Sequence, residues 1–192
     1  LTPRPPDYST ALPRWERQYP PTIPPPRGNP GMAYDTARGV AVLFGGSSSD
    51  FNASDETWEW NSASQTWTKR LPAHRPPARF GAAMAYDEAR GVAVMFGGVT
   101  DHAEEFNDTW LWDGNDWTQV FPTRAPAPRW LHAMVYDTHR QVVLLFGGTL
   151  AWKDANTWEW DGSNWNEPDI AEPSWRYGVA LAYDTRRGVS VV

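Results

Sequence analysis

The chain has 192 residues, 13 of them Trp and none Cys, with a formal net charge of -6 and a pI near 5.2. That acidic balance argues against a nucleic-acid partner, which calls for a basic face. The lack of Cys excludes a disulfide framework, a thiol nucleophile and thiolate metal ligation. No apolar run approaches the ~18 residues of a membrane-crossing helix, so no membrane insertion is expected.

Residues 1–11 form a Pro-rich segment, and proline continues to position 26. Proline fixes φ and removes a backbone donor, so most of this stretch is unsuited to a sheet interior. Residues 14–19 are the exception. Trp15 to Pro20 resembles Trp67 to Pro72 and Trp117 to Pro122, and in each case an Arg stands twelve residues after the Trp. This spacing predicts a lone last strand at 14–19, detached from the earlier strands of its unit.

A repeat runs from Arg27 onward, over about 27–72, 79–122 and 129–168, with a partial copy at 176–192. Tyr34-Asp35, Tyr86-Asp87, Tyr136-Asp137 and Tyr183-Asp184 mark its copies, the tyrosines 52, 50 and 47 residues apart. A period near fifty points to propellers or solenoids. The first predicted strand ends in Tyr-Asp, and three of the four turns that follow end in Gly, suited to a left-handed position. A turn-capping Asp accounts for the four aspartates. The second strand (V-A-V-L-F-G-G in the first copy) is nearly all apolar, the pattern of a strand buried on both faces. The third carries T-W-E-W or T-W-L-W, and the fourth opens on Trp67, Trp117 or Trp165. Asp113-Gly114 and Asp161-Gly162 are hairpin signals. No helix is predicted. Four-stranded antiparallel units with two apolar faces are stable when stacked radially, which makes the expected fold an all-β propeller.

The diglycines Gly45-Gly46, Gly97-Gly98 and Gly147-Gly148, the third-strand aromatic and the Trp opening the fourth strand together resemble kelch repeats. Trp60, Trp112 and Trp160 stand where that family usually has Tyr. The resemblance covers residues 12–192 and is closest to bacterial repeats of the galactose-oxidase central-domain kind. It implies three complete blades and a fourth without its third strand. A fragment of a larger propeller is therefore expected, with self-association through the incomplete blade as the alternative. Copper-radical oxidases of the family use a Cys–Tyr pair, which this Cys-free chain lacks.

No catalytic constellation, metal site or cofactor is read from the spacing. The scattered His74, His102, His132 and His139 have no ligand spacing, and the acids around 101–108 lack the calcium-loop order. Arg27, Arg79, Arg129 and Arg176 each precede the Tyr of Tyr-Asp by seven residues. They are candidates to line a channel, or to serve the blade as a scaffold. The stretches joining second and third strands, 47–55, 99–108 and 149–156, differ while the strands recur, which is how binding faces are built. Their candidate binding residues are Asp50, Phe51, His102, Glu104, Glu105, Phe106, Trp152 and Lys153. Aromatics beside acids suit a protein partner first and a carbohydrate second. Asn52-Ala-Ser54 and Asn107-Asp-Thr109 fit the glycosylation sequon. The expected function is a non-catalytic binding module. The alternatives are a carbohydrate-binding propeller or the supporting propeller of a larger secreted enzyme, in an extracellular or cell-surface location.

Overall fold

A computed structural model describes residues 17–149, 156–170 and 173–192. Among them are fourteen strands and no helix. Blade 1 contains β1 (Gly31–Asp35), β2 (Val40–Phe44), β3 (Thr57–Asn61) and β4 (Thr66–Arg70). Blade 2 contains β5 (Ala83–Asp87), β6 (Val92–Phe96), β7 (Thr109–Trp112) and β8 (Trp117–Val120). Blade 3 contains β9 (Ala133–Asp137), β10 (Val142–Phe146), β11 (Trp158–Trp160) and β12 (Trp165–Asn166). A two-stranded partial blade follows, β13 (Ala182–Asp184) and β14 (Val189–Val191). Each full blade is an antiparallel sheet in simple sequence order, and β1, β5 and β9 lie against one another on the inner side.

The second strands behave as their composition requires. Val42, Val94, Met95, Phe96, Val143 and Leu145 are all fully buried. They lie between blades, so both faces of the strand leave water. One cluster joins Val42 and Phe44 of blade 1 to Met84, Met95, Trp112 and Trp117 of blade 2. A second joins Val94 and Phe96 of blade 2 to Met134, Leu145, Trp160 and Trp165 of blade 3. At both seams a phenylalanine meets the fourth-strand indole edge-on, Phe44 with Trp117 and Phe96 with Trp165, each at 5.2 Å between ring centroids. Such pairs contribute about 1 kcal/mol beyond the area they bury.

The turns between first and second strands place a left-handed residue at Gly39, Gly91 and Gly188, and Gln141 takes the same conformation in blade 3. Each Asp caps its turn: the backbone N–H groups of Arg38 and Arg140 donate to Asp35 and Asp137 at 3.0 Å, and that of Arg90 to Asp87 at 3.2 Å. The diglycines are explained by close approach. A Cβ on Gly45, Gly97 or Gly147 would sit 2.4–2.5 Å from the backbone oxygen of Arg79, Arg129 or Arg176 in the next blade. The N–H of the second glycine donates to that same oxygen, at 2.9 Å for Gly46 and Gly98 and 3.1 Å for Gly148. The diglycine is thus a backbone joint between consecutive blades.

Of the predicted lone strand at 14–19, residues 14–16, with Trp15, lie outside the described residues, and 17–19 carry no strand. Gln18, Pro20 and Ile23 instead line a depression with Met32, Trp60 and Trp67 on the side of blade 1 away from blade 2.

Candidate functional site

All the stretches joining second to third strands leave the same end of the molecule, because every β2-type strand ends there and every β3-type strand begins there. The first two, expected to differ, share one turn built twice. Ser47 bridges Ala53 and Val99 bridges Glu105, so each pair closes the same number of residues. Ser48 accepts the N–H groups of Asp50 and Asn52 on its hydroxyl, and Thr100 accepts those of His102 and Glu104. Both turns then take a left-handed residue at the tip, Phe51 with φ 62° and Ala103 with φ 62°. A side-chain cap and a single left-handed residue define the loop, a pattern in which hydroxyl residues substitute for backbone acceptors. The tip side chains are left free to differ: Asp50, Phe51 and Asn52 in one, His102, Ala103 and Glu104 in the other.

Phe51 is 72% exposed, on the rim of a depression of about 410 Å³ shared with Arg27, Gly28, Asn29, Ser48 and Ser49. Asp50, His102 and Glu104 are exposed and Glu105 is half-buried. Phe106 faces inward, its ring 3.8 Å from the Arg79 guanidinium carbon. Trp152 and Lys153 lie outside the described residues.

The arginines sit beneath this end, at the junction of blades. Arg79 is 1% exposed. Its guanidinium donates to Gly97 O at 2.9 Å and to both oxygens of Asp108 at 2.5 and 2.8 Å, while Nε donates to Pro77 O at 3.0 Å. Arg27 repeats this with Gly45 O, Glu56 and Pro25 O. Arg129 is equally buried and donates to Gly147 O at 3.1 Å and to Ala127 O. Arg176 is exposed and donates to Ser174. The fork geometry of guanidinium suits this use, since one group reaches two carbonyls and a carboxylate at once. Burial pushes the Glu56 carboxyl up, but hydrogen bonds from Lys69, Arg27 and Trp58 outweigh it and bring the group down to about 2.

Two features of the interior were not anticipated from the sequence. The first is an arc of left-handed residues around the axis: Asn29, Gly81, Leu131 and Gly178, each two positions after the repeated Arg. Gly81 donates its N–H to Asn29 O, Leu131 to Gly81 O and Gly178 to Leu131 O, at 2.8–2.9 Å, so a chain of backbone hydrogen bonds passes from blade to blade. The Arg-x-(Asn/Gly) recurrence is visible in three of four copies, but Leu131 hides it. The second is His132, next to Leu131 and nine-tenths buried, its ring edge-on to Phe96. Neither ring nitrogen makes a hydrogen bond of sound geometry. Burial, then the charge of Arg129, pushes the imidazole down to about 3, so it is neutral.

At the opposite end an Arg stands three residues after each turn Asp, and in blades 1 and 2 it reaches across the seam. Arg38 pairs with Asp35 at 2.6 Å and Glu59 at 2.5 Å and touches Gly114 O of blade 2; Arg90 pairs with Asp87 at 2.7 Å and donates to Asp161 O of blade 3. Burial pushes the Asp35 carboxyl up, but hydrogen bonds from Arg38 and from Tyr86 of the next blade carry it below the ordinary range. Burial and then that carboxylate push the Tyr86 hydroxyl up to about 12. Among the described residues no group of His, Asp or Glu is placed to hold a metal ion.

The chain matches the KLHDC2/KLHL20/DRC7 Kelch-repeats domain over residues 31–189. It is also similar to the tRNA wybutosine-synthesizing protein 4 of Aspergillus fumigatus, 31% identical over 83 residues. That match spans 42% of this chain and 8% of the relative.

Proposed function

The chain belongs to the kelch-repeat family, and we propose that its blades form a non-catalytic module that recognises a protein partner through the loops between second and third strands. Kelch-repeat domains generally mediate protein–protein interaction, which supports the coarse reading. The observation that supports the finer one is the duplicated loop. Its capped, left-handed frame is the same at Ser48 and Thr100, while its tip residues are unlike and exposed. A loop backbone fixed by its own side-chain caps is suited to recognition, since less backbone entropy is lost on binding. Phe51 is the anchor in this reading, with Asp50, Glu104 and Glu105 supplying a negative rim that favours a basic partner surface.

The similarity to the wybutosine-synthesizing protein does not transfer chemistry. The shared part is a small fraction of that relative, and the net charge of -6 is unfavourable for a tRNA surface. A carbohydrate is the second reading. Ser48, Ser49 and Asn29 border the depression beside the exposed Phe51 ring, which offers hydrogen bonds beside a stacking face.

Phe51→Ala, tested by protein cross-linking and on a glycan array, separates the two. The expected result is an unchanged melting temperature, within the ~0.5 kcal/mol range of exposed substitutions, together with loss of the proteins that cross-link to the wild-type loop face. A cross-linking pattern identical in the variant would refute the loop-face reading. A glycan array bound by the wild type and not by the variant would replace the protein partner by a sugar.

A further inference from the structure

Two arginines show how this chain holds a guanidinium. Arg79 lies with its guanidinium carbon 3.8 Å from the centre of the Phe106 ring and pairs with Asp108 at 2.5 Å. Arg124 lies 4.9 Å over Trp158 and pairs with Glu167 at 2.7 Å. In both, an aromatic ring and a carboxylate share one planar cation, which stacks and forks at once.

At the loop end the same components stand together without an arginine. The residues after Arg79 and Arg129 are Phe80 and Trp130, and their rings meet edge-on at 5.8 Å. They are brought together because the next residues, Gly81 and Leu131, are hydrogen-bonded around the axis at 2.9 Å. A circuit of backbone contacts fixes what stands beside the rings. Phe80 bridges Val99, Val99 bridges Glu105, and Phe106 O accepts the N–H of Arg129, next to Trp130, at 3.2 Å. Directly opposed residues of antiparallel segments share one face. Phe80 and Glu105 therefore stand on the same face with the buried Val99 between them, and Trp130 closes the circuit at Phe80. Phe80, Glu105 and Trp130 are all half-buried. Among the described residues neither the Glu105 carboxylate nor the Trp130 indole N–H has a polar partner. Asp101 and Glu104 of the same loop are exposed, and residues 99–108 hold no Lys or Arg. Blade 1 bridges Gly28, Ser47 and Ala53 in the same way, with neither ring nor acid, so the frame itself does not require them.

From this complementarity of charge and ring, we propose that Phe80, Trp130 and Glu105 form a receptor for an arginine side chain of the protein partner. The guanidinium stacks on the aromatic pair and donates to the Glu105 carboxylate, as Arg79 does with Phe106 and Asp108. Asp101 and Glu104 supply the negative field that draws the cation in. The receptor rests on the loop-end reading given above and names the chemistry of the partner, an exposed arginine on the surface that meets blade 2.

The test titrates Nα-acetylarginine amide into the full chain and follows the indole N–H resonance of Trp130, assigned by its loss in Trp130→Phe. The resonance should move saturably. Glu105→Gln should bind the probe about tenfold more weakly, as expected for loss of a hydrogen bond to a charged group. That variant should melt with the wild type, because its carboxylate has no partner to lose among the described residues. The citrulline analogue, neutral and of nearly the same shape, should leave the resonance in place. An indole that does not respond in the folded chain overturns the proposal, as does undiminished binding to Glu105→Gln. Equal binding of the lysine analogue assigns the site to any cation and overturns an arginine receptor. Proteins whose cross-linking to the loop face is lost in Phe51→Ala and undiminished in Glu105→Gln leave the loop-face reading standing and overturn the receptor alone.

Discussion

Between blades 1 and 2, Trp112 donates to Glu59 and Trp117 to Thr57; between blades 2 and 3, Trp165 still donates to Thr109, but Leu111 stands at the Glu59 position and the N–H of Trp160 has no hydrogen-bond partner. The same divergence recurs one strand turn away. Trp58 donates to Glu56 and Trp110 to Asp108, whereas Asn156 takes that place in blade 3 and the N–H of Trp158 is unsatisfied. On the outside, His74 contacts Asp116 across the first seam and Thr123 contacts Asn164 across the second. The apolar set hardly changes: phenylalanine, methionine and paired indoles occupy both seams. Blade docking is therefore carried by area and aromatic geometry, while polar contacts are added to one seam and dropped from the other. A buried N–H without an acceptor costs about 1–3 kcal/mol, which makes the second seam the weaker of two seams with nearly the same packing.

The largest effect should come from making the first seam like the second. Glu59→Leu removes the acceptor of Trp112 and one of the two carboxylate partners of Arg38 together, and a loss of about 3 kcal/mol in denaturant unfolding is expected. A loss no larger than that of an exposed substitution would show that the Glu59 network adds nothing to the seam. Next in size is a paired substitution at constant shape. Trp112→Phe should cost about 2 kcal/mol more than Trp160→Phe, because both lose similar area and only the first loses a hydrogen bond to a carboxylate. Equal costs would mean that the apolar term alone decides both seams. Smallest per pH unit is the effect of acid on the second seam, where His132 replaces the Ala82 of blade 2. The imidazole is held at about 3 in the fold against 6.5 when free. Between those values the unfolded chain binds the proton and the folded chain does not, so His132 lowers stability as pH falls from 6.5 toward 3. The wild type should lose up to about 1.4 kcal/mol per pH unit in that window from this group. His132→Leu should flatten the curve there. A variant with the wild-type slope would place the acid sensitivity elsewhere, first in Asp35 and Asp137, whose lowered carboxyls add stability above the free-carboxyl range and lose it as pH falls through their folded values.

Much of the blade was legible because its signals are local. Continuous apolar runs, turn aspartates and Asp-Gly pairs act within a few residues, and the strands and their turns follow from them. The diglycine serves both positive φ and close backbone approach, since Gly45 and Gly46 have φ of 68° and 96° and lie against Arg79 O. The binding loops were less legible. Phe106 and Phe51 look alike in sequence, but Phe106 occupies the place of Ser54, beside a buried guanidinium, while Phe51 sits at an exposed tip. That distinction depends on a register set by the bridges of Ser47 and Val99 to neighbouring segments.

By itself the sequence determined the repeat, the strand content and the indole-rich packing, because apolar runs, recurring tryptophans and turn chemistry are properties of short segments. Tertiary structure decided which chemistry each repeated residue performs. Glu59 became an indole acceptor and Leu111 did not. Leu131 adopted a conformation that glycine takes easily, because the axial hydrogen bonds on either side hold it there. Arg79 was buried by the junction of two blades. Each of these depends on what the next blade places opposite, across fifty residues of chain, and no local pattern carries that information.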